Sequence, residues 1–130
     1  MPFKKALIVD DTPFDVELTR RVLEGCDYDF DVTVVADGAE ALHALKTHAF
    51  DIILLDLRLP KVDGFEVLKE ISSKPFLSDI PVIVLSSSGN HSDRVRTRAM
   101  GAREFVEKSL DYSEFKTNLR HALTQDGFRA

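Results

Sequence analysis

The sequence holds a single cysteine, Cys26. No internal disulfide can form, and one unpaired thiol suits a reducing cytosol. Cys26 reads as a small filler near a helix end rather than as a reactive group. Long apolar runs are missing too, since none approaches the roughly 20 residues that a membrane span needs. The start, MPFKKALIVDD, has neither the apolar stretch nor the cleavage site of a secretory leader. Positive charge is also in deficit. The net charge is −5, which argues against non-specific binding to nucleic acid or to an anionic membrane. Arg94, Arg96, Arg98 and Arg103 crowd one region and read as a solvated helix face. No linker, repeat or low-complexity segment divides the chain. With 130 residues, 44% hydrophobic and 30% charged, it is expected to be one cytoplasmic domain, residues 1–130, with a real core from about residue 4 to about residue 124.

What is present is organised around Asp51 to Gly64, DIILLDLRLPKVDG. Four aliphatics, Ile52 to Leu55, read as a strand buried on both faces. The strand ends in a carboxylate, Asp56. Pro60 and Gly64 turn the chain, and a helical pattern with Phe65, Leu68 and Ile71 inward runs to about Ser72. The same alternation recurs along the chain. Ala6 to Val9 is a strand ended by Asp10-Asp11. Thr12 is the expected N-cap of a helix with Pro13 first, running to about Glu24, with Leu18, Val22 and Leu23 inward and Gly25 as its stop. Phe30 to Val35 is a β-branched strand, Asp37-Gly38 a turn, and Ala39 to Thr47 a helix burying Ala41, Leu42 and Leu45. Ser73 to Ile80 is a polar loop containing Pro75. Val82 to Leu85 is a strand ending in Ser86-Ser87-Ser88. Ser92 to Met100 is a helix capped by Gly101. Glu104 to Val106 is a short strand ended by Glu107-Lys108. A last helix begins near Asp111 with Tyr112, Phe115, Leu119 and Leu123 on one face, and Gln125 to Ala130 is expected to fray. Five strands alternating with helices predict an α/β fold of βαβ units with right-handed crossovers and a parallel sheet.

In a parallel sheet the strand ends share one edge, so Asp10, Asp11, Asp56, Ser86 and Lys108 can converge there, at the edge where open α/β sheets bind ligands. Three clustered carboxylates against one ammonium call for a counter-ion, and oxygen-only ligands suit a hard one such as Mg²⁺. Asp56, central and the only carboxylate of its loop beside the cluster, is the candidate nucleophile for a phosphoryl group. A metal and Lys108 would neutralise the transferring charge, and the Ser86 hydroxyl could donate to a phosphoryl oxygen. Taken singly, each residue has a plainer role: an Asp-Asp pair caps a helix, an aspartate opens a turn, a serine sits in a loop, a lysine lies on the surface. The case rests on their occurring together.

VDD at 9–11, LLDLRLPKVDGFEVL at 54–68, PVIVLSSS at 81–88 and GAREFVEKS at 101–109 resemble the receiver domain of two-component response regulators, in order and in spacing, from about Lys4 to Leu123. The resemblance implies a flavodoxin-like sheet of order 2-1-3-4-5. It implies phosphorylation of Asp56 by a histidine kinase or phosphotransfer protein. Mg²⁺ would be held by Asp10, Asp11, Asp56 and the backbone carbonyl of Arg58. Ser86 would move toward the phosphoryl group, and Phe105 would swing inward behind it. The face made by the fourth helix, fifth strand and fifth helix would carry the signal. Ser109 is a departure, because the family usually places a cis proline after the lysine. A cis bond without proline costs about 3–4 kcal/mol, so the Lys108–Ser109 bond is either trans with a rearranged loop or cis and strained. Phe105 replaces a commoner tyrosine. The loop from Ser73 to Ile80 is similar to that of stand-alone receivers paired with bacterial phytochrome-type kinases.

The expected function is therefore a single-domain phosphoacceptor that catalyses its own phosphorylation and dephosphorylation, is not a turnover enzyme, and acts through a partner, a relay or a homodimer. A receiver that binds partners without phosphorylation is the alternative, and Ser109 supports it. An aspartate-nucleophile phosphatase is disfavoured because Arg58 stands where such enzymes carry a second aspartate. Phe14 and Val16 are either exposed apolar residues or ordinary helix surface.

Overall fold

The segments Ala6 to Val9, Ile52 to Leu55 and Val82 to Leu85 are too apolar on both sides to face water, so the sheet they centre is covered on both faces. In the computed structural model, which describes residues 3–26, 29–87, 90–109 and 111–123, the elements follow the order β1 (Phe3–Val9), α1 (Pro13–Glu24), β2 (Asp29–Val35), α2 (Gly38–Thr47), β3 (Ile52–Asp56), α3 (Gly64–Ser73), β4 (Val82–Ser86), α4 (His91–Ala99), β5 (Glu104–Glu107) and α5 (Tyr112–Leu123). All strand pairs are parallel and the sheet order is β2-β1-β3-β4-β5.

Alternation along the strands sorts side chains between two cores. Leu7, Val9, Ile53, Leu55, Val82 and Val84 face one side with α2 and α3. Ala6, Ile8, Ile52, Leu54, Ile83 and Leu85 face the other with α1 and α5. Ile52, Ile53, Leu54 and Leu55 are fully buried, each worth roughly 1.5–3 kcal/mol of burial. The strand that ends in Asp56 is thus pinned from both sides.

Most element boundaries agree with the sequence, and the differences have local causes. β1 begins at Phe3 rather than Ala6 because Phe3 to Lys5 pair with Asp29 to Asp31. Thr12 is the N-cap of α1, but its side chain makes no cap bond; its amide instead donates to Asp10 Oδ1 at 2.9 Å, closing an aspartate turn. The expected Asp37-Gly38 turn is the start of α2, with buried Asp37 accepting from the Glu40 amide. On α2, Ala44 is buried and Leu42 only partly so. On α3, Val67 takes the inward place expected of Phe65. Phe65 is half-buried, with the Arg96 guanidinium carbon 3.9 Å from its ring centroid.

α4 begins at His91, with Asn90 capping the Ser92 amide, and Gly101 follows at φ +105°, where glycine carries no side-chain penalty. Gly25 ends α1 at an ordinary φ of −86°; a Cβ there would lie 2.7 Å from the Arg120 guanidinium. Tyr112 is half-buried, whereas Phe115, Leu119 and Leu123 are buried. In the loop after α3, Leu77 is buried in the core and Phe76 is exposed. Phe14 is exposed, but Val16 packs partly against the α1–α5 core. Cys26 is half-buried and its Sγ donates to the Val22 carbonyl. Among the described residues no helix is long and apolar enough to cross a membrane. Ser88, Gly89, Leu110 and the expected frayed end, Gln125 to Ala130, lie outside the described residues.

Candidate functional site

The sheet register sets the site. Val9 pairs with Leu55, so Asp10 and Asp56 leave adjacent strands one after the other. Asp56 pairs with Leu85 and Ser86 with Glu107, which puts Ser86 and Lys108 on the same edge. The Lys108 amide donates to the Ser86 carbonyl at 2.7 Å, extending the ladder past the strand ends.

Lys108 Nζ lies 2.8 Å from Asp10 Oδ2, 3.0 Å from Asp15 Oδ2 and 3.2 Å from Asp56 Oδ2. An ammonium has three N–H donors, and each meets a different carboxylate. The remaining oxygens of the buried acids are satisfied by backbone. Asp10 Oδ1 accepts from the Thr12 amide, and Asp56 Oδ1 accepts from the Arg58 amide at 3.1 Å. Asp10 and Asp56 are 2% and 5% exposed, Ser86 is fully buried, and Asp11 is exposed. Oxygens of Asp10, Asp11 and Asp56 lie within 4.8 Å of one another.

The predicted residues therefore converge. Asp10, Asp56 and Lys108 are in direct contact, Asp11 borders them, and buried Ser86 sits on the neighbouring strand end. Arg58 touches Asp56 through its amide. Phe105 is half-buried on β5, with the Arg94 guanidinium carbon 4.7 Å from its ring centroid. Arg94 and Arg96 thus cover aromatic rings instead of forming a simple solvated face. The Lys108–Ser109 bond is trans, as are all those described, and Lys108 still enters the site.

Asp15 was not foreseen. It lies in the first turn of α1, where an acidic residue ordinarily complements the helix dipole. The available signal was its spacing. Helical side chains lean toward the helix N-terminus, so an acid one turn into α1 returns over the end of β1.

Electrostatics show an excess of negative charge. Burial is the largest influence on Asp56 and pushes its carboxyl above the usual value. The Lys108 charge and the Arg58 amide oppose this, and the Asp10 charge adds to it. Burial works against the Lys108 ammonium, but the Asp10 hydrogen bond and the Asp56 and Asp10 charges outweigh it and hold the amine well above its usual value. A close set of carboxylate oxygens, one of them resisting ionisation, fits a hard divalent cation.

The profile of the response regulator receiver domain family matches residues 6–120. The chain belongs to this family. Receivers are the phosphorylated modules of two-component signalling, and solved members share this architecture. Response regulator Rcp1 of Synechocystis sp. is 36% identical over 120 residues, covering 87% of this chain and 82% of that protein. The structure of its Mn²⁺-bound form aligns with a TM-score of 0.84 over 93% of this chain and 92% of that one, at 31% identity. The phosphorylated cyanobacterial phytochrome response regulator RcpA aligns with a TM-score of 0.85 at 35% identity over 94% of this chain and 92% of that one. The regulatory protein VirG of Agrobacterium tumefaciens is 33% identical over 94% of this chain but 44% of that protein. The receiver thus spans about half the length of several curated regulators that it matches.

Proposed function

We propose that this receiver accepts a phosphoryl group on Asp56 from a histidine kinase or phosphotransfer protein in the cytoplasm, in a Mg²⁺-dependent step, and passes the resulting change to a partner. The observation that carries the reading is the contact between Asp56, on the end of a fully buried strand, and the Lys108 ammonium, with Asp10 and Asp11 beside them. A kinase of phytochrome type is the favoured donor, supported by the likeness to RcpA, which is named a phytochrome response regulator.

Transfer requires Asp56 as the carboxylate. One of its oxygens forms a bond to phosphorus while the P–N bond of the donor histidine breaks, and the donor nitrogen keeps the electron pair. Lys108 stays protonated throughout and pairs with the charge that Asp56 gains. The Ser86 hydroxyl, buried at the end of β4, donates to a phosphoryl oxygen. Asp10, Asp11, Asp56 and the Arg58 carbonyl would hold Mg²⁺, which when bound supplies charge neutralisation for the phosphoryl oxygens. Positioning and electrostatics suffice for this chemistry, so the receiver catalyses its own loading and hydrolysis without turning over an external substrate. The phosphorylation-independent alternative drew its support from Ser109. Lys108 reaches Asp56 all the same, which favours the phosphoacceptor reading.

Incubation with acetyl phosphate and Mg²⁺ is expected to add one phosphoryl group by intact mass, and Asp56→Asn to abolish it. An unmodified wild-type protein would overturn the proposal.

A further inference from the structure

Among the described residues, Asp15 is the one partner of the Lys108 ammonium that the proposed reaction leaves unused. Three features set it apart from Asp10 and Asp56. It comes from a helix rather than a strand end. Its side chain is 31% exposed, against 1% for Asp10 and 7% for Asp56. It also stands outside the three carboxylates whose oxygens lie within 4.8 Å of one another.

The charge balance then assigns it a task. Asp10 and Asp56 serve both the ammonium and the set that fits a divalent cation. Charge that they share with a cation no longer holds Lys108, and the cation repels the ammonium as well. Asp15 has no such second duty. We infer that Asp15 is a positioning residue, which keeps the Lys108 ammonium at the site when a divalent cation and the phosphoryl donor are present.

This inference rests on the phosphoacceptor reading, and its test separates the two. The rate of loading by acetyl phosphate at saturating Mg²⁺, followed by intact mass, is expected to fall roughly tenfold in Asp15→Asn and to recover in Asp15→Glu. In a Lys108→Met background the Asp15→Asn change is expected to alter the rate by less than about twofold. A fall that persists without Lys108, or a wild-type rate in Asp15→Asn, overturns the inference and leaves the Asp56 reading intact. Absence of any adduct on the wild type overturns both. Nitrogen-15 NMR of the lysine ammonium groups provides a readout independent of loading. The Lys108 signal is expected to remain protected from solvent exchange when Mg²⁺ is added to the wild type, and to be lost on the same addition to Asp15→Asn. Loss of the signal in the wild type overturns the inference. Asp15→Ser with an unchanged thermal midpoint serves as the second variant should Asp15→Asn fold poorly.

Discussion

Lys108 Nζ stands 3.2 Å from Asp56 Oδ2 even though serine follows the lysine and the peptide between Lys108 and Ser109 is trans. What places the lysine is the sheet ladder, through its own amide on the Ser86 carbonyl, together with three carboxylates at its tip. Its removal leaves Asp10 and Asp56 buried with no counter-charge. Lys108→Met is therefore expected to destabilise the metal-free protein by about 3 kcal/mol. Part of this loss should return when Mg²⁺ is added. Urea unfolding in EDTA and in Mg²⁺ measures both, and an unchanged midpoint in EDTA would contradict the ion-pair account.

The raised pKa of Asp56 gives a second expectation, with a definite sign. A folded carboxyl held above its ordinary value of 3.8 binds its proton more tightly in the native state than in the unfolded one. Its contribution to stability is thus largest below that ordinary value and is lost as pH rises through the folded value. Asp56→Asn has no such titration. In EDTA, urea unfolding should show the variant gaining stability relative to wild type as pH rises from about 4 and no further once the folded carboxyl has ionised. A difference that stays constant with pH would contradict a raised Asp56 carboxyl.

The three central strands were legible in the sequence because burial on both faces demands unbroken aliphatic runs, and those runs end in polar residues with little ambiguity. Asp10, Asp11, Asp56, Ser86 and Lys108 could be gathered by topology alone, since parallel strands present their ends on one edge. Asp15 could not. It belongs to a helix, and an acid in a first turn looks the same whether it serves the helix dipole or a lysine 93 residues away. Val67 takes the inward place expected of Phe65 for a related reason. Both fit an amphipathic pattern, and the choice between them depends on Arg96 arriving from α4 to cover the ring.

Metal linkage gives a third expectation. A ligand that binds only the folded protein stabilises it by RT ln(1 + [L]/Kd), about 2.7 kcal/mol at one hundred times Kd. Mg²⁺ should raise the thermal midpoint of the wild type accordingly. Asp11 is exposed, and one of its carboxylate oxygens lies within 4.8 Å of those of Asp10 and Asp56. Asp11→Asn should therefore shift stability in EDTA by less than about 0.5 kcal/mol yet remove most of the Mg²⁺-induced gain. Calorimetry with and without Mg²⁺ decides the matter. An undiminished Mg²⁺ effect in the variant would place the cation elsewhere.

Gly64 supplies the last expectation, because it links the backbone of β3 to the helix that follows the acceptor. A Cβ at this position would lie 2.5 Å from both the Asp56 carbonyl oxygen and the Leu57 Cα. Neither atom belongs to a side chain that could rotate away. The Gly64 amide also donates to the Leu57 carbonyl at 3.0 Å, so the start of α3 cannot retreat without losing that bond. Gly64→Ala must then push the Asp56–Leu57 backbone, and with it the carboxylate, or detach α3 from the strand. The expected cost is about 3 kcal/mol, at the upper end of overpacking. Loading by acetyl phosphate should also slow in the fraction that remains folded, since Asp56 and Lys108 would no longer be in register. A wild-type thermal midpoint in Gly64→Ala would show that the loop between β3 and α3 yields more easily than its close packing implies.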